Sequence, residues 1–203
     1  KTVSPITLEE AIRIYEKLVK SKTAKGYKPV DGHSGGTGME AVQSGQREDT
    51  GLRAQLLNPV DDTPESVDAY LTQNRWCAQE KFDGRRMVIE RNPDGMLLAA
   101  NRNGLRTALP EALARELQAI TTVFVLDGEI VGEHFYAFDL LTFGLLDLRS
   151  SPYAERMAVL AGEFSNAASH LSVADTACGT VDKRRMLERL RIEGREGMVF
   201  KDI

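Results

Sequence analysis

This 203-residue chain has no long apolar run, and it lacks the cysteine spacing of a zinc site. No stretch approaches the ~18 apolar residues that span a bilayer, and the polar, basic start lacks the apolar segment of a signal peptide. The two cysteines, Cys77 and Cys178, can pair in principle, but so few cysteines in a chain of this size are typical of a reduced compartment. The sequence therefore predicts an intracellular protein without membrane association or a metal-thiolate site.

An excess of positive charge is also absent. The formal net charge is -4, which argues against indiscriminate binding to nucleic acid. The charge is uneven, because residues 1–28 contain seven Lys or Arg against three Glu. Any basic face is therefore expected near the front of the chain.

The first 51 residues differ in composition from the rest. A capping-box pattern at residues 7–10 precedes apolar residues at helical spacing, which predicts a helix within residues 1–30. Residues 31–51 contain six glycines and few apolar residues, so they are predicted to be a flexible linker. Residues 52–203 are dense in secondary-structure signals and are predicted to form the folded domain.

Short helices and strands are predicted throughout residues 52–203. The helices are expected at about 64–71, 110–120, 152–161 and 182–190, and the strands at 76–82, 86–91, 96–101, 123–131, 135–141 and 197–201. Thr63 is a capping residue before the first helix, and Asn92-Pro93-Asp94-Gly95 predicts a β-turn between the second and third strands. The strands come in adjacent antiparallel groups with helices between them. This order predicts an α+β domain of antiparallel sheets with flanking helices.

The segment KFDGRR, residues 81–86, is the most informative in the chain. A lysine amine is a nucleophile only when deprotonated, and nearby cations or burial favour that neutral form. Gly84 permits a tight turn that brings backbone close to a ligand, and Asp83 can fix the loop or orient the Lys81 amine. Taken alone, the segment is also typical of a surface turn of mixed charge.

Two further segments place acidic residues beside apolar strands. Asp127 and Glu129 interrupt an apolar run, and carboxylates are costly to bury unless they meet a metal, a hydroxyl or a cation. The alternative is a strand end with a solvated turn. Glu196 and Lys201 bracket a short apolar strand, and alternation puts them on opposite faces, so both reach one site only if the strand ends or twists there.

Together and in this order, the segments resemble the nucleotidyltransferase domain of ATP-dependent DNA ligases, over about residues 52–203. The resemblance implies an ATP-grasp-like covalent nucleotidyltransferase fold. Residues 15–19 and 23–27 also resemble the tail of a WGR domain, a nucleic-acid-binding module. The ligase family's five segments, Lys-x-Asp-Gly-x-Arg, Ser-Arg-Asn-Gly, Asp-Gly-Glu, an aromatic strand and Glu-Gly-x-x-x-Lys, correspond to residues 81–86, 101–104, 127–129, 135–141 and 196–201.

The resemblance implies a role for each matching residue. Lys81 would attack the α-phosphate of ATP and hold AMP covalently, and Glu196 would bind the catalytic Mg²⁺ or Mn²⁺. Phe138 would stack on adenine, although it also fits a core aromatic residue. The remaining nucleotide contacts would come from Gln79 at adenine, Arg86 and Glu129 at ribose, Arg102 at nucleotide or DNA phosphates, and Lys201 beside the AMP phosphate.

The chain departs from the family pattern at two places. Gln79 stands two residues before the lysine, where ligases usually have glutamate, so looser selection of adenine over guanine is expected. The family continues past its last strand into a further lysine pair and an oligonucleotide-binding-fold domain, whereas this chain stops at Ile203. The adenylation domain is therefore expected to be incomplete at its C-terminal end, and complete sealing is not implied.

The implied function is that of an intracellular, monomeric DNA ligase, cytoplasmic or nucleoid-associated. AMP would pass from Lys81 to the 5′-phosphate of nicked double-stranded DNA, and the 3′-hydroxyl would then seal the nick in repair, replication or recombination. Two alternatives remain open. One is an RNA ligase or an mRNA-capping guanylyltransferase, and the other is a nucleotide- or DNA-binding module without turnover.

Overall fold

The computed structural model describes residues 7–8, 12–13, 15–17, 19–20 and 48–203, and it divides the chain into two units, residues 1–44 and 45–203. In the first unit the described residues from 8 to 20 are helical, and Tyr15 and Val19 of the predicted apolar stripe are exposed. Most of the predicted linker, residues 31–47, lies outside the described residues, as does the WGR-like segment 23–27.

Every helix and strand predicted within residues 52–203 is present, with ends that differ by no more than three residues. The helices of this region are α1 (Pro64–Thr72), α2 (Glu111–Gln118), α3 (Tyr153–Phe164) and α4 (Thr180–Ile192). The strands are β1 (Trp76–Glu80), β2 (Arg85–Arg91), β3 (Leu97–Asn101), β4 (Phe124–Val131), β5 (His134–Phe143), β6 (Leu146–Asp147), β7 (Leu171–Val173), β8 (Thr176–Ala177) and β9 (Met198–Asp202). None of the described helices has the length and apolar character needed to cross a membrane.

The strands form two sheets, as the α+β prediction requires. A three-stranded antiparallel sheet has the order β8-β1-β9, and a six-stranded sheet has the order β3-β2-β4-β5-β6. The sixth strand, β7, pairs with β5 in parallel, which is the exception to the predicted antiparallel pairing. Residues 92–95 form the predicted turn between β2 and β3, in which the Gly95 amide donates to the Asn92 carbonyl at 2.9 Å and Gly95 has a φ of +80°.

Each sheet buries one face. Helices α2 and α3 cover the six-stranded sheet through the fully buried residues Leu113, Leu117, Leu160 and Phe164. Helix α4 covers the three-stranded sheet through a smaller buried cluster, whose members are Ala78, Ala177, Met186 and Leu190. Because side chains alternate along a strand, the opposite faces of both sheets carry the polar residues of the predicted motifs.

The buried Lys183 fixes the start of the three-stranded sheet. Its Nζ donates to the carbonyl oxygens of Tyr70 at 2.9 Å, Gln73 at 2.7 Å and Trp76 at 2.8 Å. Two of these carbonyls lie at the end of α1, where helical carbonyls lack intrahelical partners. Burial lowers the pKa of Lys183. This lysine therefore connects α1 and β1 to α4, a role that the sequence pattern did not indicate.

Residues 48–51, the end of the predicted linker, pair with the turn after β3. Asp49 forms a β-bridge with Leu105, and the Thr50 amide donates to the Gly104 carbonyl at 2.9 Å. These residues are therefore part of the ordered edge of the second unit.

Close backbone packing explains two motif glycines. A Cβ at Gly84 would lie 2.3 Å from the Ile130 carbonyl oxygen, and a Cβ at Gly128 would lie 2.4 Å from the Phe135 ring and 2.5 Å from the Tyr136 carbonyl oxygen. Packing against β4 therefore accounts for Gly84, which the sequence interpretation assigned to the approach of a ligand.

Gly128→Ala should lower the free energy of unfolding by about 3 kcal/mol, since overpacking costs roughly 1–3 kcal/mol and the backbone neighbour here has little room to move. Gly162→Ala in α3 is the matched control, because nothing lies within 4 Å of the added Cβ. Glycine inside a helix costs roughly 0.5–1 kcal/mol relative to alanine, so the control should be stabilised. Urea unfolding followed by circular dichroism measures both, and equal effects would contradict the packing argument.

Candidate active site

Lys81 and Glu196 meet at one end of the three-stranded sheet, just beyond paired ends of β1 and β9. Strand β1 ends at Glu80 and β9 begins at Met198, and these two residues are opposite in the register. The Lys81 amide donates to the Gly197 carbonyl at 2.8 Å, and the Lys81 amine forms an ion pair with the Glu196 carboxylate. Because β9 begins after Glu196, this carboxylate reaches the site in spite of the alternation that would otherwise separate it from Lys201.

The face of β1 that leads to Lys81 also carries Gln79. Gln79 lies opposite Val199 of β9 and Thr176 of β8. Its side chain is 2% exposed, and its amide nitrogen donates to the Thr176 hydroxyl at 2.8 Å. Lys201 lies opposite Cys77 on the same face. One face of β1 and β9 therefore carries the predicted nucleophile, the predicted adenine contact and the second motif lysine.

Arg86 is held by Asp127 on the adjacent six-stranded sheet. The Nε and Nη2 atoms of Arg86 each lie 2.7 Å from a different Asp127 oxygen, and Asp127 is 3% exposed. Burial raises the pKa of the Asp127 carboxyl, and the Arg86 guanidinium acts in the opposite direction. Glu129 lies opposite Arg86 in the register, but the bidentate partner is Asp127. The two hydrogen bonds to Asp127 thus fix the plane of the Arg86 guanidinium on the six-stranded sheet.

Phe138 occupies a bulge in β5. The register with β4 shifts between Ala137 and Asp139, which leaves Phe138 outside the ladder. Its carbonyl oxygen accepts hydrogen bonds from the Tyr153 hydroxyl at 2.6 Å and from the Lys201 amine at 3.0 Å. The bulge therefore gives Lys201 a partner on the other sheet.

The ring of Phe138 contacts two cations. The Arg86 Cζ atom lies 4.3 Å from the ring centroid and the Lys201 Nζ atom lies 4.6 Å from it, while Phe138 is 9% exposed. The Lys201 amine also lies 4.5 Å from the centroid of the Tyr153 ring. Such contacts favour a cation electrostatically. Because so little of Phe138 is exposed, little of its ring is open to a stacking partner.

Burial lowers the pKa of Lys201 to about 8, although the carboxylates of Asp139 and Asp127 act against this shift. Asp139 itself forms a bidentate pair with Arg156, at 2.8 and 2.9 Å. At neutral pH the Lys201 amine is therefore still mainly a cation, placed between the two sheets.

The other two predicted site residues belong to the six-stranded sheet and to the turn that follows β3. Glu129 is opposite Tyr136 in β5, whose ring stacks on Phe82 with 4.2 Å between centroids. Arg102 is exposed in the turn after β3. Strand β3 pairs with β2 on the side away from β4, so Arg102 lies at the margin of the sheet.

Sequence reasoning missed several residues that shape the site. Asp127 had a local signal, because it is a carboxylate within an apolar strand. Tyr153 and Thr176 had none, since each acts through a partner that is distant in sequence. The two-residue strand that contains Thr176 is too short for a periodic pattern.

Glu196 is the carboxylate best placed to hold a divalent cation beside Lys81. Within the described residues, no group of three or more His, Cys, Asp or Glu side chains forms a candidate metal site. Mg²⁺ is usually bound by one or two carboxylates together with substrate phosphates and water. This single donor therefore fits a cation that binds with a phosphate-bearing substrate.

The chain is similar to nucleic-acid ligases in sequence and in fold. The protein-family model described as RNA ligase matches residues 74–203. A mycobacterial DNA ligase D complexed with ATP and MES is 24% identical with a TM-score of 0.53, covering 64% of this chain and 49% of that one. The ligase domain of LigD from M. tuberculosis is 23% identical with a TM-score of 0.50, covering 64% of this chain and 48% of that one. No curated protein matches the sequence.

These findings confirm the predicted nucleotidyltransferase fold of DNA ligases. The chain spans about half the length of the two solved structures. The family match begins at residue 74 and does not bear on the WGR-like residues 1–30.

Arg86→Ala should lower the free energy of unfolding by about 3 kcal/mol, because it leaves the buried Asp127 carboxylate unpaired. Adding Asp127→Asn should recover part of the loss, since it removes that charge. Arg149→Ala, which breaks the exposed pair with Asp147, is the control and should cost less than about 1 kcal/mol. Urea unfolding at pH 7 measures all three variants. Equal losses for Arg86→Ala and Arg149→Ala would contradict the assignment.

Proposed function

This chain belongs to the RNA ligase family of nucleotidyltransferases, and we propose that it is the adenylation domain of an ATP-dependent DNA ligase. Lys81 takes AMP from ATP as a covalent lysyl-AMP and passes it to the 5′-phosphate of nicked double-stranded DNA. The observation that carries the proposal is the ion pair between the Lys81 amine and Glu196. The same face of the sheet carries Lys201, whose amine donates to the Phe138 carbonyl oxygen.

The first step needs a neutral amine and an electrophilic phosphorus. The Lys81 nitrogen forms a bond with the α-phosphorus, the bond to the β-phosphate oxygen breaks, and pyrophosphate leaves. The Lys81 ammonium gives one proton to solvent before the attack and a second as the N–P bond forms, so the lysyl-AMP nitrogen keeps one hydrogen. Phosphoryl transfer depends mainly on in-line positioning and on cations that stabilise spreading negative charge. Lys201 and Arg86, which both contact the Phe138 ring, would supply such cations.

Glu196 would hold the divalent cation, Mg²⁺ or Mn²⁺, whose contribution is to neutralise phosphate charge. A carboxylate that holds the cation is no longer available as the sole partner of the Lys81 ammonium. Cation binding at Glu196 would therefore release the Lys81 amine toward the phosphate. In this way one carboxylate both positions the lysine and supports its reaction.

The nucleotide would displace existing side-chain contacts. Phe138 is nearly covered by Arg86 and Lys201, and the Gln79 amide is bound to Thr176. Gln79 donates to Thr176 through its amide nitrogen, so its amide oxygen would be the atom that accepts a hydrogen bond from the adenine amino group. Arg86 and Glu129 would then contact the ribose, and Lys201 would lie beside the AMP phosphate.

The proposal includes DNA, as opposed to RNA, as the nucleic-acid substrate. Its support is the fold shared with the DNA ligase structures, while the family match supports an RNA ligase as the second candidate. The exposed Arg102 would contact phosphates of either polymer. The protein is proposed to act as a monomer inside the cell.

Lys81→Ala should abolish covalent AMP, because alanine removes the amine that is placed for attack. Lys81→Arg should fail too, since a guanidinium stays protonated at neutral pH. Lys20→Ala, at an exposed lysine of the helical segment, is the control and should keep the adduct. The assay is incubation with ATP and Mg²⁺ followed by intact mass and mapping of the modified residue. An undiminished adduct in the Lys81→Ala protein would overturn the assignment.

The choice between DNA and RNA as substrate is tested by giving the AMP-loaded protein a nicked DNA duplex or a nicked RNA duplex of the same sequence. Loss of AMP from Lys81 and its appearance on the 5′-phosphate should be faster with DNA. Lys81→Ala, which cannot be loaded, controls for contaminating ligase. Faster transfer to RNA would favour the second candidate, and loading without transfer to either duplex would contradict the ligase step.

A further inference from the structure

The two cysteines of the chain have no role in the proposed function, yet the sheet brings them together. Cys77 is buried in β1, Cys178 is exposed just after β8, and both are free thiols. The antiparallel register pairs Ala78 with Ala177 and Gln79 with Thr176. Continuing the register by one pair puts Cys178 directly opposite Cys77.

Both thiols lie on the same face of the sheet. Gln79 and Thr176, the neighbouring pair on this face, have side chains within hydrogen-bond distance at 2.8 Å. Cys77 and Cys178 line the same open groove of about 430 Å³, on the side that faces α3. Ala78 and Ala177 between them point the other way, into the cluster under α4.

Opposed residues on adjacent antiparallel strands have Cβ atoms about 4.5–5.5 Å apart, and a disulfide needs about 3.5–4.5 Å. The required approach is therefore small. Cys178 follows the last residue of β8 and precedes α4, so it can move without breaking a described ladder pair.

We propose that Cys77 and Cys178 are a reversible oxidation site, which forms a disulfide between β1 and the residue that follows β8 when the protein meets hydrogen peroxide. The exposed Cys178 thiolate attacks a peroxide oxygen, the O–O bond breaks, and hydroxide leaves, which gives a sulfenic acid. The Cys77 sulfur then attacks the Cys178 sulfur, the S–O bond breaks, and water leaves with the Cys77 proton. Two electrons pass from the thiols to the peroxide.

The order of the two steps follows from exposure. The sulfur that meets peroxide first is the exposed one, and Cys77 completes the reaction from within the sheet. Burial raises the pKa of the Cys77 thiol to about 11, which disfavours its direct oxidation by peroxide. The result is a covalent link beside Gln79 and Thr176, at the strand that also leads to Lys81.

The test treats the reduced full chain with one equivalent of hydrogen peroxide under native conditions. The sample is then quenched, unfolded and alkylated. We expect the mass to fall by two hydrogens, both cysteines to lose alkylation, and dithiothreitol to restore both. Non-reducing trypsin digestion should yield peptides 76–81 and 157–183 as one linked species.

Cys178→Ser is the matched control, because it changes an exposed residue and leaves Cys77 in place. This variant should keep Cys77 available for alkylation after peroxide treatment. In the unaltered chain, oxidation of Cys178 alone to a sulfinic acid, with Cys77 still alkylated, would overturn the proposal. A disulfide between the Cys178 residues of two chains would overturn it as well.

Discussion

The contact of Lys201 with Phe138 is the interaction on which the site depends. The Lys201 side chain extends from the three-stranded sheet, and its amine donates to the Phe138 carbonyl oxygen at 3.0 Å. The amine also lies 4.6 Å from the centroid of the Phe138 ring, which Arg86 contacts too. Because β9 pairs with β1, the strand that carries Lys201 to the second sheet begins two residues after Glu196, which forms the ion pair with Lys81. One strand therefore sets both ends of the proposed nucleotide site.

Charge in this site is local and does not follow the net charge. The chain is acidic overall, at -4, but the faces that meet here carry the cations of Lys81, Arg86 and Lys201. Each of these three cations has a carboxylate or carbonyl partner. For Arg86 and Lys201, which are partly buried, that partner offsets part of the cost of burial. A phosphate-bearing ligand would therefore compete with these partners, and binding would depend on rearranged contacts more than on an open cavity.

Local patterns predicted the elements well, because their signals lie within one segment. The capping threonine before α1 and the Asn-Pro-Asp-Gly turn between β2 and β3 are examples, and the Thr63 hydroxyl does accept from the Ser66 amide. The contacts inside the site were harder to predict. The bulge at Phe138 and the three carbonyl partners of Lys183 depend on chain segments that are distant in sequence. The bidentate pairing of Asp127 with Arg86 depends on side-chain geometry within a shared face.

The position of the AMP group is tested by the titration of the Lys201 amine before and after AMP loading, because that amine joins the two sheets beside the proposed phosphate position. Carbon NMR of the lysine Cε, assigned with Lys201→Met, measures the midpoint of this titration. We expect a midpoint of about 8 in the unloaded protein. After loading we expect a higher midpoint, since a nearby phosphate charge favours the ammonium form. A midpoint that does not change on loading would contradict the claim that the AMP on Lys81 lies between the two sheets.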